Sequence, residues 1–415
     1  MAVTTETASI RARAAARTLA ALGRGAKDEA LEQIALALER ASAAIVEANA
    51  EDLAAARDAG QPAALLDRLT LDDARVLALR DAVRAVAALD DPVGDVVTGW
   101  RLPNGLDIQK VRVPLGVLLV VYEARPNVTV DVASLCLKSG NACLLRGSTS
   151  ARHTNAILLR CVREGLAAAG LPEDAVVPLE ATREELAAIV ADPASCDVVI
   201  PRGGESLKAF LLEHARVPVL VAAGGNCHVY LHGDADPAKA LPIVVNAKTQ
   251  RPGVCNACET LIVHRDALPL LGPIGAELAA LGVELRADDE AVPALGVPCV
   301  PAGEDDWATE FLDLVLAVRT VGSVEEAIEH IERYSTGHSE AIVTESLAAS
   351  EAFVRGISSA CVYVNASTRF TDGGEFGFGA EIGNSTARLH ARGPVGLADI
   401  TTTKYVVHGD GQIRV

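Results

Sequence analysis

Short apolar runs alternate with longer segments of helical periodicity between residues 115 and 222. Glycine or proline closes several of them, as at Gly170 and Pro172. Such alternation predicts βαβ units, in which helices cover both faces of a parallel sheet. A second alternating run extends from residue 227 to residue 365. We therefore expect an α/β fold that begins with a doubly wound parallel sheet, which binds ligands beyond the carboxyl ends of its strands.

Two β-branched stretches lie outside these runs, at residues 96–113, with a turn at Pro103-Asn104-Gly105, and at residues 401–408. They predict a hairpin and a tail strand that pair away from the main body. Exposed strands of this kind favour association between copies. We expect a homodimer or a higher homo-oligomer.

Length and charge narrow the class of protein. A chain of 415 residues, half of them hydrophobic, buries a large core and divides into two or three domains. A net charge of −18 argues against nucleic-acid or acidic-membrane partners. The apolar runs are too short to span a bilayer. A small anionic substrate must then be bound by local cations.

Nine scattered cysteines, an odd number, are not a disulfide framework and indicate a reducing compartment. Cys255 and Cys258 form a C-x-x-C pair, but without a second pair or well-spaced histidines we expect no metal site. A redox disulfide is less favoured than one nucleophile. Residues 1–27 are basic and alanine-rich, as in a transit peptide, but they run into a helical pattern over 28–57. We interpret them as the first helix of a cytoplasmic protein.

Residues 246–260 contain the candidate nucleophile. Pro252 and Gly253 break the chain, and Cys255 then stands where a short helix is expected to start. A helix start favours the thiolate over the thiol. The alternative is a small buried hydrophobe, the usual fate of a free cysteine. The local pattern does not choose between these two interpretations.

No G-x-G-x-x-G fingerprint follows any predicted strand, so an ordinary dinucleotide-binding motif is missing. Two other motifs follow strands. Arg146-Gly147-Ser148-Thr149 offers a cation and hydroxyls, and Arg202-Gly203-Gly204 opens a helix whose free N–H groups suit a phosphate. Each alone is commonly just a turn. Together they predict a nucleotide site at one sheet edge.

Several runs resemble the aldehyde dehydrogenase superfamily in order and spacing: Pro114 to Asn127, Lys138 to Arg146, Ala223 to Asn226, and Cys255. Within it, others are similar to the γ-glutamyl phosphate reductase family: Val120 to Val128, Asn246 to Pro252, Ala327 to Ile342 with Thr336-Gly-His-Ser-Glu340, and Leu389 to Gly396. The similarity covers nearly the whole chain. One departure is Gly253-Val254, where polar residues are common.

The resemblance implies an aldehyde dehydrogenase-like fold with an oligomerisation flap. It also implies NADPH-dependent reduction of L-glutamate 5-phosphate to L-glutamate 5-semialdehyde and phosphate, the second step of proline biosynthesis, through a thioester on Cys255. Glutamate 5-kinase, which supplies the acyl phosphate, is a candidate partner. The implied division is a cofactor-binding domain over 1–95 and 114–225, a hairpin over 96–113, a catalytic domain over 226–396 and an oligomerisation strand over 397–415.

The resemblance also implies residue roles. The Asn127 amide and the Cys255 N–H would stabilise an oxyanion; the alternative for Asn127 is a helix N-cap. Glu310 would hold the nicotinamide ribose; the alternative is a solvated surface acid. Arg125 and Arg251, which flank Asn127 and Cys255, are candidates for binding substrate. Either could equally be a structural ion-pair partner.

Two absences refine the expected reaction. Ala222-Ala223 stand where hydrolytic members carry a water-activating glutamate before the equivalent of Gly224-Gly225. A reductase gains nothing from activated water. Ser148-Thr149-Ser150 stand where NAD-preferring members often place an acid, so with Arg146 nearby we expect NADP(H).

Two other functions stay open. A CoA-acylating aldehyde dehydrogenase would also lack the glutamate, but we would not expect it to carry residues 336–340 and 389–396 as they stand here. A non-catalytic scaffold would typically have lost Cys255 or Asn127.

Overall fold

The structure is a computed structural model that describes residues 5–221 and 224–414. Its helices are α1 (Thr5–Leu19), α2 (Arg24–Arg40), α3 (Ser42–Asp58), α4 (Ala63–Leu69), α5 (Asp73–Ala88), α6 (Val128–Lys138), α7 (Arg152–Ala168), α8 (Arg183–Ala191), α9 (Glu205–His214), α10 (Pro237–Thr249), α11 (Leu271–Ala280), α12 (Val292–Leu295), α13 (Glu304–Trp307), α14 (Val324–Tyr334) and α15 (Leu347–Gly356). Its strands are β1 (Val96–Arg101), β2 (Asp107–Pro114), β3 (Val117–Tyr122), β4 (Ala142–Arg146), β5 (Val176–Pro178), β6 (Val198–Arg202), β7 (Cys227–Leu231), β8 (Cys258–His264), β9 (Glu284–Ala287), β10 (Val300–Pro301), β11 (Val315–Val321), β12 (Ser339–Val343), β13 (Cys361–Val364), β14 (Asn384–Ser385), β15 (Gly393–Pro394) and β16 (Thr401–His408).

The first sheet is parallel, with strand order β5-β4-β3-β6. Every residue of β3 is buried, as expected for a central strand covered on both faces. Because parallel strands share one carboxyl edge, Tyr122, Arg146 and Arg202 lie at the same end of the sheet. The strand predicted at 218–222 is reduced to an isolated bridge at Val219, and Ala222 lies outside the described residues.

The N-terminal helices pack on this sheet and share its hydrophobic core. Leu31, Ile34 and Leu38 of α2 follow a helical period and are fully buried, as their spacing indicates. The expected first helix is present as α1. The single helix predicted over 28–57 was wrong, since the chain leaves the helical conformation at Ala41, with φ −92° and ψ 3°. Alanine gives no sequence signal for such a break.

The second sheet is also parallel and has strand order β10-β9-β11-β8-β7-β12-β13. It encloses a separate hydrophobic core that includes Val229, Leu261 and Val318. The sequence predicted its central strands but missed β9 and β10, which lie in or beside the acidic span around residues 288–306. Strands of four and two residues are too short to carry a periodic signal.

Strands β1, β2 and β16 form a small antiparallel sheet, so the pairing predicted for the hairpin and the tail is confirmed. Every residue of β1 is exposed, and Trp100 packs edge-on against Tyr405 with ring centroids 6.3 Å apart. We refer to these three strands as the flap.

Candidate active site

Cys255 lies in a turn between α10 and β8, which we call the cysteine loop (residues 251–257). The helix expected to start at Cys255 was wrong: the loop forms turns, and Ala257 N–H donates to the Val254 carbonyl at 3.1 Å. Only two residues separate Cys255 from the first residue of β8, too few for a helix of useful length. A helix dipole therefore does not stabilise this thiolate.

His338 stabilises the thiolate instead. Burial alone raises the pKa of the Cys255 thiol, but its contact with the His338 imidazole, together with the charge of Arg202, lowers the net pKa below the ordinary value. Burial conversely lowers the pKa of His338, but Cys255, with the carboxyl groups of Glu340 and Glu310, raises it, and the net pKa lies above the ordinary value. His338 is only 2% exposed, and its Nδ1 shares a hydrogen bond of 2.8 Å with the Ser339 hydroxyl. The pair therefore favours a thiolate beside an imidazolium.

Arginines dominate the remaining charge near Cys255. Burial and the neighbouring cations Arg202 and Arg68 lower the pKa of Arg125 to about 10. Burial and Arg251 likewise lower the pKa of Arg369, while Cys255 opposes that shift. Cations that depress one another's pKa are stabilised when an anion binds between them. A chain of net charge −18 thus has a local group of arginines near Cys255, beside the carboxyl group of Glu381.

Asn127 stands directly before α6, but its side chain does not cap the helix, which argues against the N-cap alternative. The amide Nδ2 instead donates to Asp131 Oδ2 at 2.8 Å. Burial raises the pKa of Asp131 to about 6, although the bond from Asn127 opposes the shift. Since an amide nitrogen carries two hydrogens, this contact fixes its direction and leaves one donor available.

The glycine pair Gly224-Gly225 passes against the cysteine loop. A Cβ at Gly225 would lie 1.5 Å from the Cys255 carbonyl oxygen, so no other residue fits there. Gly225 N–H donates to Glu310 Oε1 at 2.6 Å. Glu310 is therefore anchored beside the cysteine loop, and the interpretation as a freely solvated surface acid was wrong.

A cavity of about 330 Å³ opens beside Asn127. Its lining includes Arg125, Asn127 and Asp131 on one segment, Arg251 of the cysteine loop, and the connection from α4 to α5. Arg68 of α4 donates from Nη2 to the Gly253 carbonyl at 2.8 Å, which ties α4 to the cysteine loop. The structure therefore brings both predicted substrate arginines to one cavity.

The predicted nucleotide motifs lie at the carboxyl edge of the first sheet. Arg146 contacts the Ala181 carbonyl through Nε and Nη2 at 3.4 and 3.3 Å, weak bonds that leave this guanidinium able to donate to an anion. Ser148 and Ser150 share a hydrogen bond of 2.6 Å. Gly204 N–H, by contrast, already donates to Glu123 at 3.1 Å.

Two other cysteines near the site are more deeply buried than Cys255. Cys258 is fully buried in β8, and burial raises its thiol pKa to about 12. Cys227 is also buried and donates to the Cys255 carbonyl at 3.2 Å. Both are free thiols. Among the described residues, no cluster of three or more His, Cys, Asp or Glu side chains is arranged to hold a metal ion.

A buried ion pair joins the two elements that flank the cysteine loop. Lys248 of α10 donates to Glu259 of β8 at 2.6 Å, and both side chains are fully buried. The second oxygen of Glu259 accepts from Leu312 N–H at 3.2 Å. The pair thus joins the segments on both sides of the loop to the segment that carries Glu310.

Comparison with known proteins supports the resemblance. The profile of the aldehyde dehydrogenase family matches residues 2–291. A γ-glutamyl phosphate reductase from Thermobifida fusca is 54% identical over 97% of both chains. The crystal structure of a γ-glutamyl phosphate reductase from Thermotoga maritima superposes with a TM-score of 0.95 at 45% identity, covering 99% of this chain and 100% of that one. The chain belongs to the γ-glutamyl phosphate reductase family.

A more distant structural match shares the same fold. An acetylating aldehyde dehydrogenase from Geobacillus thermoglucosidasius superposes with a TM-score of 0.68 at 19% identity, over 99% of this chain and 97% of that one. That likeness shows a common fold only. The family match and the Thermotoga maritima structure confirm the aldehyde dehydrogenase-like α/β fold, and the γ-glutamyl phosphate reductase relatives do not favour the CoA-acylating alternative.

The structure places beside Cys255 two residues for which the sequence predicted no such role, His338 and Arg202. His338 lies inside the motif at 336–340, which served only to support the resemblance. Arg202 was assigned to a nucleotide motif, but it acts electrostatically on Cys255. Ala222 and Ala223, which stand where hydrolytic members carry a glutamate, lie outside the described residues. No described helix has the length and apolar character needed to cross a membrane.

Proposed function

We propose that this chain reduces L-glutamate 5-phosphate to L-glutamate 5-semialdehyde with NADPH and releases phosphate, in the second step of proline biosynthesis. The observation that carries the proposal is a cysteine of lowered pKa among arginines, in a chain 54% identical to a γ-glutamyl phosphate reductase. An acyl phosphate presents both an electrophilic carbon and a dianionic leaving group. A thiolate among cations suits both.

Cys255 is the nucleophile in this proposal. Its thiolate attacks carbon 5 of the substrate, phosphate leaves with the bonding electrons, and a thioester forms. His338, as imidazolium, holds the negative charge on sulfur before the attack. It again stabilises the thiolate when the reduced intermediate collapses to the aldehyde. No proton has to leave the sulfur during attack.

Asn127 and the Cys255 N–H are the proposed donors to the oxyanion formed on the carbonyl oxygen. The hydrogen bond to Asp131 fixes the direction of the Asn127 amide nitrogen and leaves its second hydrogen free to donate. We assign Arg125 to the departing phosphate. Burial and the neighbouring cations lower the pKa of Arg125, and a bound dianion would offset the repulsion between these cations.

We propose NADP(H) as the cofactor. Arg146 has spare donor capacity for a 2′-phosphate, and Gly147 and the hydroxyls of Ser148 and Thr149 follow it directly in the chain. Glu310 would hold the nicotinamide ribose. Gly203 and Gly204 are weaker candidates because Glu123 occupies the Gly204 N–H. When bound, the nicotinamide supplies the hydride that reduces the thioester.

Three broader assignments belong to the same proposal. The flap joins two copies, because β1 is exposed along its whole length. The protein is cytoplasmic, on the ground of its odd set of scattered cysteines. Glutamate 5-kinase, which makes the unstable acyl phosphate, is the proposed source of substrate and a candidate partner.

The test is the reverse reaction. NADP⁺ reduction is followed with glutamate semialdehyde alone, with phosphate, and with CoA in place of phosphate. We expect turnover that requires phosphate and is lost in Cys255→Ser, with Cys258→Ala as the matched control that keeps it. Turnover that requires CoA, or activity retained in Cys255→Ser, would contradict the proposal.

A further inference from the structure

The cavity beside Asn127 has charged lining residues that the proposed chemistry does not use. They include Asp67, which lies near the end of α4. Arg251 of the cysteine loop faces the same cavity. One carboxylate and one guanidinium are thus available beside the residues proposed to act on the acyl phosphate.

Asp67 is held in place mainly by Arg75. Arg75 Nη2 donates to Asp67 Oδ1 at 2.6 Å, and Arg75 Nη1 binds the carbonyls of Asp67 and Thr70 at 2.6 and 3.0 Å. This contact with Arg75 lowers the pKa of Asp67, so the carboxylate stays ionised. The guanidinium of Arg75 therefore orients Asp67, and Oδ2 remains for another cation.

The Asp67–Arg251 pair is loose. Asp67 Oδ2 and Arg251 Nη2 are 3.6 Å apart, longer than the 2.7–2.9 Å typical of a charge-assisted hydrogen bond. The side chains are 52% and 59% exposed. An exposed pair of this geometry contributes little to stability. Fold stability thus gives no reason for two opposite charges at the cavity.

A ligand whose head group carries an ammonium and a carboxylate would give Asp67 and Arg251 each a close partner of opposite charge. We propose that Asp67 and Arg251 form the subsite for the α-amino-acid head of the substrate, with Asp67 binding the ammonium and Arg251 the α-carboxylate. This inference rests on the proposed function. Arg251 is four residues before Cys255, so the cysteine loop itself supplies part of the subsite.

Substrates that lack one charge test the subsite. NADP⁺ reduction is measured in the presence of phosphate with glutamate semialdehyde, and with 5-oxopentanoate, which keeps the carboxylate and lacks the amino group. Asp67→Asn should lower kcat/KM for glutamate semialdehyde by about tenfold, mainly through KM, and leave 5-oxopentanoate unchanged. Arg251→Gln should lower kcat/KM for both. Asp73→Asn, the same charge change on exposed Asp73 of α5, is the control and should alter neither.

The pattern of losses decides the outcome. An equal effect of Asp67→Asn on both aldehydes, or no effect on either, would overturn the subsite. NADPH binding reports whether each variant folds. If Asp67→Asn does not fold, Asp67→Glu, which keeps the charge but moves the carboxylate, should change the ratio of kcat/KM between glutamate semialdehyde and 5-oxopentanoate. If the unmodified enzyme fails to oxidise glutamate semialdehyde with phosphate, the proposed function falls and the subsite with it. If it does so and only the ratio fails, the subsite alone is wrong.

Discussion

Replacing Gly225 by alanine tests how closely the glycine pair constrains the cysteine loop. The new Cβ would lie 1.5 Å from the Cys255 carbonyl oxygen and 2.5 Å from its Cα. Ordinary contact begins near 3.5 Å, so one of the two backbones must retreat by about 2 Å. Neither atom is the end of a flexible side chain, so rotation of a side chain cannot relieve the overlap.

The expected loss is larger in activity than in stability. Overpacking of this kind costs about 1–3 kcal/mol in the free energy of unfolding. A displacement of about 1 Å at a reacting group already lowers the rate by about 100-fold, so we expect at least that loss in kcat for Gly225→Ala.

The assay compares phosphate-dependent NADP⁺ reduction with urea unfolding in two variants. Gly253→Ala is the matched control, because a Cβ there meets its nearest atom at 3.6 Å, an ordinary contact within the same loop. It should keep activity within a few-fold. Near-normal kcat in Gly225→Ala would refute the close contact between the glycine pair and the cysteine loop.

Three further predictions concern charge. His338→Ala should raise the pH at which Cys255 becomes reactive, because the imidazole lowers the thiol pKa. Iodoacetamide labelling at a series of pH values, followed by mass spectrometry of the Cys255 peptide, measures this pH. An unchanged pH profile would show that His338 does not stabilise the Cys255 thiolate. Lys248→Met should lower the free energy of unfolding by about 3–5 kcal/mol by leaving Glu259 unpaired, increasingly so as pH rises, whereas Lys248→Met with Glu259→Gln should recover most of it in urea titrations. A single variant as stable as the parent would contradict this. Arg146→Ala should weaken the binding of NADPH by about tenfold and that of NADH less, as measured by fluorescence titration. Equal losses for both cofactors would show that Arg146 does not bind the 2′-phosphate.

The strand–helix alternation predicted most of the two parallel sheets because buried β3 and amphipathic α2 carry strong periodic signals. It missed the break at Ala41 and the short strand β10, where no residue marks the change. The flap followed from β-branched composition and a turn, and its pairing was confirmed.

The site was predictable only where a local motif carried it. Cys255 and Asn127 lie in runs with recognisable neighbours. His338 and Arg202 act on Cys255 from sequence distances of 83 and 53 residues, so only the folded chain brings them together. The same holds for Asp67, whose segment has no motif. The expected helix at Cys255 was wrong because the following strand begins too soon.

The most direct test of the central claim is a search for the acyl group on Cys255. The enzyme is mixed with NADP⁺ and glutamate semialdehyde without phosphate, quenched, and digested for mass spectrometry. We predict a burst of close to one NADPH per chain, and a hydroxylamine-sensitive glutamyl group on the peptide that carries Cys255. Added phosphate should remove that group and restore turnover. Phosphate-dependent turnover with neither burst nor adduct would contradict the thioester mechanism.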